Sequence, residues 1–147
     1  MKILYTGFKG KYNASYQLVE AISPNNKILL TNSFKGIKRD LENSPLESYE
    51  LILMFGINKN LKDRIVIEVN SSYDGISLST NVNYKKLELL INKKGVNADI
   101  NFKPTKYLCN YAYHNILLKN KNAIFIHIPG FTKIKDFDKF VDIFKEI

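Results

Sequence analysis

Two short apolar runs constrain how this chain can fold. Leu51-Ile52-Leu53-Met54-Phe55 ends at Gly56, and Ala123-Ile124-Phe125-Ile126-His127-Ile128 is broken by Pro129-Gly130. Neither approaches the roughly 20 apolar residues of a membrane-spanning helix. Short apolar runs closed by breakers read as strands, and an unbroken one such as Leu51–Phe55 reads as a central strand buried on both faces. Such a strand needs helices above and below its sheet. The rest of the chain supplies them in alternation. Lys2-Ile3-Leu4-Tyr5-Thr6 predicts a first strand stopped by Gly7. Asn13 or Ser15 can cap a helix whose stripe is Leu18, Val19 and Ile22, closed by the turn cluster Ser23-Pro24-Asn25-Asn26. Lys27–Thr31 predicts a strand, Phe34–Leu46 a helix interrupted near Pro45, and Arg64–Val69 a further strand. Asn70–Val82 is polar and turn-rich. Leu87, Leu90 and Ile91 mark a helix ended by Gly95, and Ala98–Asn101 a short strand. A final helix follows Asp136, with Phe137, Phe140, Val141 and Phe144 on one side. The alternation predicts one domain over residues 1–147, an α/β/α sandwich with a mostly parallel (mixed) central sheet.

The sequence carries 22 Lys and Arg against 14 Asp and Glu, a net charge of +8. The excess is lysine, spread singly and in pairs, and the only arginines are Arg39 and Arg64. With no basic stripe and no aromatic-rich basic motif, this is a solvated surface and no nucleic-acid partner is expected. No stretch resembles a signal peptide or a membrane span, so no membrane partner is expected either. One cysteine cannot form an internal disulfide, and it fits a reducing, cytoplasmic setting.

That cysteine, Cys109, begins the pattern Cys109, Ala112, Tyr113, Ile116, which puts it at or near the start of an amphipathic helix, on the inward face. A helix N-terminus favours a thiolate and can receive an oxyanion. His127 ends a strand and shares a face with Ala123 and Phe125. A Cys–His pair of this kind is a nucleophile and its base, with a third group orienting the imidazole. Two carboxylates compete for that place: Glu68, inside an otherwise apolar strand where an unpaired charge is costly, and Asp63, at the start of the same strand. Each residue also has a plainer reading. Cys109 fits the core, His127 a hydrogen-bonded structural histidine, Glu68 an edge-strand surface charge and Asp63 a loop charge. His114 falls on the polar side of the Cys109 helix and reads as solvated.

The phrases around these residues resemble pyroglutamyl peptidase I, also called pyrrolidone-carboxylate peptidase. Tyr107-Leu108-Cys109-Asn110 is similar to the family's cysteine motif, and Phe125-Ile126-His127-Ile128-Pro129 to its histidine motif. Lys2–Phe8 resembles the opening strand and Thr-Gly-Phe turn, Asn13–Tyr16 the helix start Asn-Pro-Ser-Trp, and Gly95–Ala98 the Gly-Ile-Pro-Ala segment. The matches keep the family's order across nearly the whole chain. The resemblance implies a phosphorylase/hydrolase-like fold and a cysteine peptidase that removes N-terminal pyroglutamate through a Glu–Cys–His triad. Cys109 would be the nucleophile and His127 the base. Asp63-Arg64-Ile65-Val66-Ile67-Glu68 lines up with the family's glutamate segment so that Asp63, one methylene shorter, takes the glutamate's place.

Departures gather at the substrate loops. Gly7-Phe8-Lys9-Gly10-Lys11-Tyr12 lacks the family's Pro-Phe, Gly56–Asn60 is shorter and lacks its arginine, and Pro104-Thr105 replaces its Ala-Gly. The chain is also trimmed around residues 9–12, 70–80 and 118–122. Phe8, Ile57 and Tyr107 are the candidate substrate-binding residues. The expected partner is a small peptide with a blocked N-terminus, with a homo-oligomer left open and no metal or organic cofactor implied. The altered loops also fit a divergent relative that binds a peptide or another partner without turning it over.

Overall fold

The computed structural model covers residues 1–147. Its main sheet is built from β1 (Ile3–Phe8), β2 (Lys27–Leu30), β3 (Leu51–Ile57), β4 (Arg64–Glu68), β7 (Asn97–Asn101) and β8 (Ala123–Ile128). A separate hairpin joins β5 (Asn70–Tyr73) to β6 (Ile76–Ser79). The helices are α1 (Ala14–Ile22), α2 (Phe34–Glu42), α3 (Tyr84–Lys93), α4 (Tyr107–Lys119) and α5 (Phe137–Lys145).

The sheet order is β2-β1-β3-β8-β4-β7. The first four strands run parallel. β4 turns against β8, and β7 pairs parallel with β4. The two apolar runs thus lie side by side at the centre, Ile52 opposite Ala123 through Ile57 opposite Ile128. Every residue of β8 is buried.

Strand alternation sorts the core into two. Ile124, Ile126 and Ile128 join Leu53, Phe55, Ile65 and Ile67 under α1, α3 and α5, against Leu18, Val19, Ile91, Phe140 and Phe144. Ala123 and Phe125 join Leu4, Ile52 and Met54 on the opposite face, under Ile37 and Leu41 of α2 and Ala112, Tyr113, Ile116 and Leu117 of α4. This is the expected α/β/α sandwich on a mixed sheet. Each fully buried Leu, Ile or Phe contributes about 1.5–3 kcal/mol over its exposed state, so the apolar periodicity stabilises both layers at once.

Local signals explain the helix starts. Asn13 caps α1 through Oδ1, accepting from the amides of Ser15 and Tyr16. Ser33 caps α2, Asn83 α3 and Asp136 α5. α4 is the exception: Lys106 occupies its cap position with no side-chain hydrogen bond, and Tyr107 adopts a left-handed φ of 65°.

Two expectations need correction. The predicted helix over 34–46 ends at Glu42, and residues 46–48 form a separate 3-10 turn. The polar, turn-rich stretch 70–82 contains an ordered hairpin closed by Asp74-Gly75, both at positive φ (51° and 76°). An Asp-Gly pair between two strands is the signature of that turn.

Candidate active site

The centre of the site is a buried ion-pairing geometry on the α4 face of the sheet. In β8, His127 is in phase with Phe125 and so faces α4. In β4, Glu68 stands opposite Phe125 and Val66 opposite His127, which makes Glu68 and His127 diagonal neighbours on that same face. His127 Nδ1 lies 2.7 Å from Glu68 Oε2. Both residues are buried, at 7% and 3% exposure. A carboxylate only accepts, so Nδ1 carries the proton and Nε2 is left as the basic nitrogen. The Phe125 ring packs against the imidazole, centroids 4.3 Å apart.

Cys109 reaches the same place from α4. Gly56 of β3 is the register partner of His127. A Cβ on Gly56 would come within 3.0 Å of Cys109 Sγ and 2.9 Å of the Phe125 ring. The sulfur therefore rests over the one position in β3 that lacks a side chain, a strand's width (about 4.8 Å) from the histidine strand. Substituting Gly56 would push the sulfur or the ring aside.

The carboxylate beside His127 is Glu68, not Asp63. Asp63 precedes β4 at a φ of 51°, and its Oδ1 accepts from the Lys135 amide at 3.2 Å while its own amide donates to the Lys133 carbonyl. It fastens the loop after β8. Alternation explains the difference: residues 64, 66 and 68 share the His127 face, whereas 65 and 67 point to the other core. An aspartate before the strand is both too short and out of phase.

The helix-start argument predicts a depressed thiol pKa, and the structure reverses it. Burial pushes the Cys109 thiol up from its ordinary 9.0 to about 11, and the negative charge of Glu68 adds to the rise. Desolvation outweighs the dipole at the first turn of α4. The resting sulfur is a protonated thiol at neutral pH.

The candidate substrate residues are dispersed. Phe8 is buried in the α4-side core. Ile57 packs against the opposite core, away from Cys109. Tyr107 is 82% exposed, two residues before the cysteine. The three cavities of the molecule lie elsewhere, the largest (about 370 Å³) between Leu51, Val82, Leu87 and Ile147. No group of three or more His, Cys, Asp or Glu side chains is arranged to hold a metal ion. No helix is long and apolar enough to cross a membrane.

His114, expected in solvent, is buried. Its Nδ1 is 2.8 Å from the Ser71 hydroxyl of β5, and burial lowers its pKa. Asn110, next to the cysteine, grips the same hairpin. Its Nδ2 donates to the Ser72 carbonyl at 2.7 Å, and its Oδ1 accepts from the Ser72 amide at 3.2 Å. Asn101 went unremarked in the sequence, yet its Nδ2 donates to Glu68 Oε1 at 2.7 Å. As the polar last residue of a short predicted strand, it carried no pattern that would mark it.

Solved structures match this fold over nearly the whole chain. Pyrrolidone carboxyl peptidase from Thermus thermophilus superposes with a TM-score of 0.81 at 16% identity, covering 97% of this chain and 96% of that one. Pyroglutamyl peptidase I from Bacillus amyloliquefaciens gives 0.79 at 17% identity, over 99% and 94%. This is the pyroglutamyl peptidase fold. The pyrrolidone carboxyl peptidase of Thermococcus litoralis shares it at 0.72 and 19% identity, over 99% and 90%. No protein-family model and no curated protein matches the sequence. Within the pyroglutamyl peptidase fold, the Cys109, His127 and Glu68 side chains come from α4, β8 and β4 and meet on one face of the sheet.

Proposed function

We propose that the chain is a cysteine peptidase of the pyroglutamyl peptidase kind, with Cys109 as nucleophile, His127 as base and acid, and Glu68 as the carboxylate that orients the imidazole. The observation that carries this reading is the buried 2.7 Å His127–Glu68 bond on the face where Cys109 Sγ rests over Gly56. Three side chains with the chemistry of acyl transfer converge from three elements, and Glu68 replaces Asp63 in the expected triad. His127 Nε2 takes the Cys109 thiol proton as the sulfur attacks the amide carbonyl joining a pyroglutamyl ring to the next residue. The oxyanion that forms is met by backbone N–H groups of the first turn of α4. His127 returns the proton to the departing amine. Water then attacks the thioester with His127 as base, releasing pyroglutamate and the free thiol. The substrate is a small peptide with a blocked N-terminus, and the setting is the cytoplasm. A thiol pushed up to about 11 assigns deprotonation to His127 at the moment of attack, not to a standing thiolate.

A second reading is favoured by the raised thiol and by the burial of Phe8: a relative that keeps the pair and binds peptides without turning them over. Release of a fluorophore from a pyroglutamyl amide separates the two. Turnover that disappears in Cys109→Ala supports the peptidase. Saturable binding of the amide without turnover, equal in wild type and Cys109→Ala, supports the binder.

A further inference from the structure

We infer that Asn101 is a positioning residue for Glu68, and that it ties the orientation of His127 to the segment leading into the nucleophile helix; this rests on the peptidase reading above. Glu68 has two carboxylate oxygens in a buried setting. Oε2 accepts a hydrogen bond from His127 Nδ1, and Oε1 accepts one from Asn101 Nδ2, each at 2.7 Å. Asn101 stands directly opposite Glu68 in the parallel β4–β7 pair. Its amide is held from both ends: Nδ2 also donates to the Lys103 carbonyl at 2.8 Å, and Oδ1 accepts from the Lys103 amide at 3.2 Å. Those partners fix which end of the amide faces the glutamate, because only the NH2 end can serve a carboxylate and a carbonyl together. The backbone of Asn101 is tied down as well, its carbonyl accepting from the Val69 amide at 3.1 Å.

Asn101 is therefore a rigid donor between two parts of the site. On one side it fills the second acceptor of Glu68, which keeps the carboxylate plane turned toward His127. On the other it closes a local turn over Lys103, where the chain leaves β7 for Tyr107 and Cys109. A carboxylate with Oε1 unpaired would rotate toward any other donor and loosen its hold on Nδ1. An aspartate at 101 would set a second carboxyl against Glu68 in place of the NH2 donor and remove the donor that Asn101 shares between Glu68 and the Lys103 carbonyl.

The test uses Asn101→Ala and the near-isosteric Asn101→Asp in the full chain. Turnover of a pyroglutamyl amide is followed against pH, and the His127 ring is followed by 15N and 1H NMR without substrate. In Asn101→Ala, kcat falls roughly 10- to 100-fold, the loss of one hydrogen bond to a charged group, with KM within about twofold of wild type. The downfield Nδ1 proton of the wild type weakens or exchanges away. In Asn101→Asp, which keeps the size of the side chain but loses the NH2 donor, kcat falls and the Nδ1 signal shifts, again with KM within about twofold of wild type. A wild-type kcat, pH profile and Nδ1 signal in Asn101→Ala overturn the inference. Should that variant not fold, a wild-type kcat and Nδ1 signal in Asn101→Asp overturn it instead. If neither wild type nor variant turns the amide over, the peptidase reading fails, and the ring signal still decides whether Asn101 orients the pair.

Discussion

At the scale of single residues, the site depends on one buried carboxylate doing two things at once. Glu68 holds His127 at 2.7 Å, and its charge also raises the Cys109 thiol. Glu68→Gln should therefore separate the effects. Turnover should fall by about 10³–10⁴-fold, the scale seen when a triad carboxylate becomes an amide. The pH midpoint of Cys109 alkylation should move down as the anion is removed, because the charge of Glu68 adds to the rise that burial imposes on the thiol. Asp63→Asn should leave both within about twofold, since Asp63 only accepts from the Lys135 amide. Iodoacetamide labelling across pH, beside the amide assay, reads all of this. The cost of an unpaired charge inside Arg64-Ile65-Val66-Ile67-Glu68 already pointed to Glu68. Lining up motifs pointed to Asp63, because a motif records order along the chain and not which face of a strand a side chain takes. The thiol value was not legible in the sequence: spacing places Cys109 at a helix start, but only packing shows that burial dominates there.

At the scale of elements, α4 is covered on two sides. Its inner side meets the sheet through Ala112, Tyr113 and Ile116. Its other side meets the hairpin through Asn110–Ser72, His114–Ser71 and the edge-on packing of Tyr73 against Tyr111, with rings 5.1 Å apart. The inward stripe was readable from the i, i+3, i+4, i+7 spacing. The second contact was not, because it depends on a hairpin more than 35 residues upstream and on polar partners without periodicity. The buried His114 makes this docking pH-sensitive. Its folded pKa is lowered below the ordinary 6.5 by burial alone, so its contribution is complete above pH 6.5 and is lost as the pH falls through the folded value. Melting temperature measured from pH 8 to pH 5 should drop more steeply in the wild type than in His114→Gln, which cannot take up a proton.

At the scale of the molecule, the sheet separates stability from chemistry by alternation. Ile126 and Phe125 are adjacent in β8 but face opposite layers. Ile126→Ala should cost about 2–5 kcal/mol in denaturant unfolding, while the folded fraction keeps its turnover. Phe125→Ala should cost about 3–5 kcal/mol and impair turnover as well, since its ring supports both His127 and the space over Gly56. The layered architecture could be read from the alternating runs and stripes. Strand order and the reversed direction of β4 could not, because an apolar strand reads alike in either direction. That reversal has a consequence for where charge can sit. In an all-parallel sheet the last residue of a strand opens onto the ligand-facing edge, where water surrounds an acid and dilutes its field. Running β4 backwards carries its last residue, Glu68, behind His127 and into the dry interior, and leaves its first end at the wet rim. The molecule thus keeps a buried carboxylate behind its histidine by the direction in which five residues are threaded.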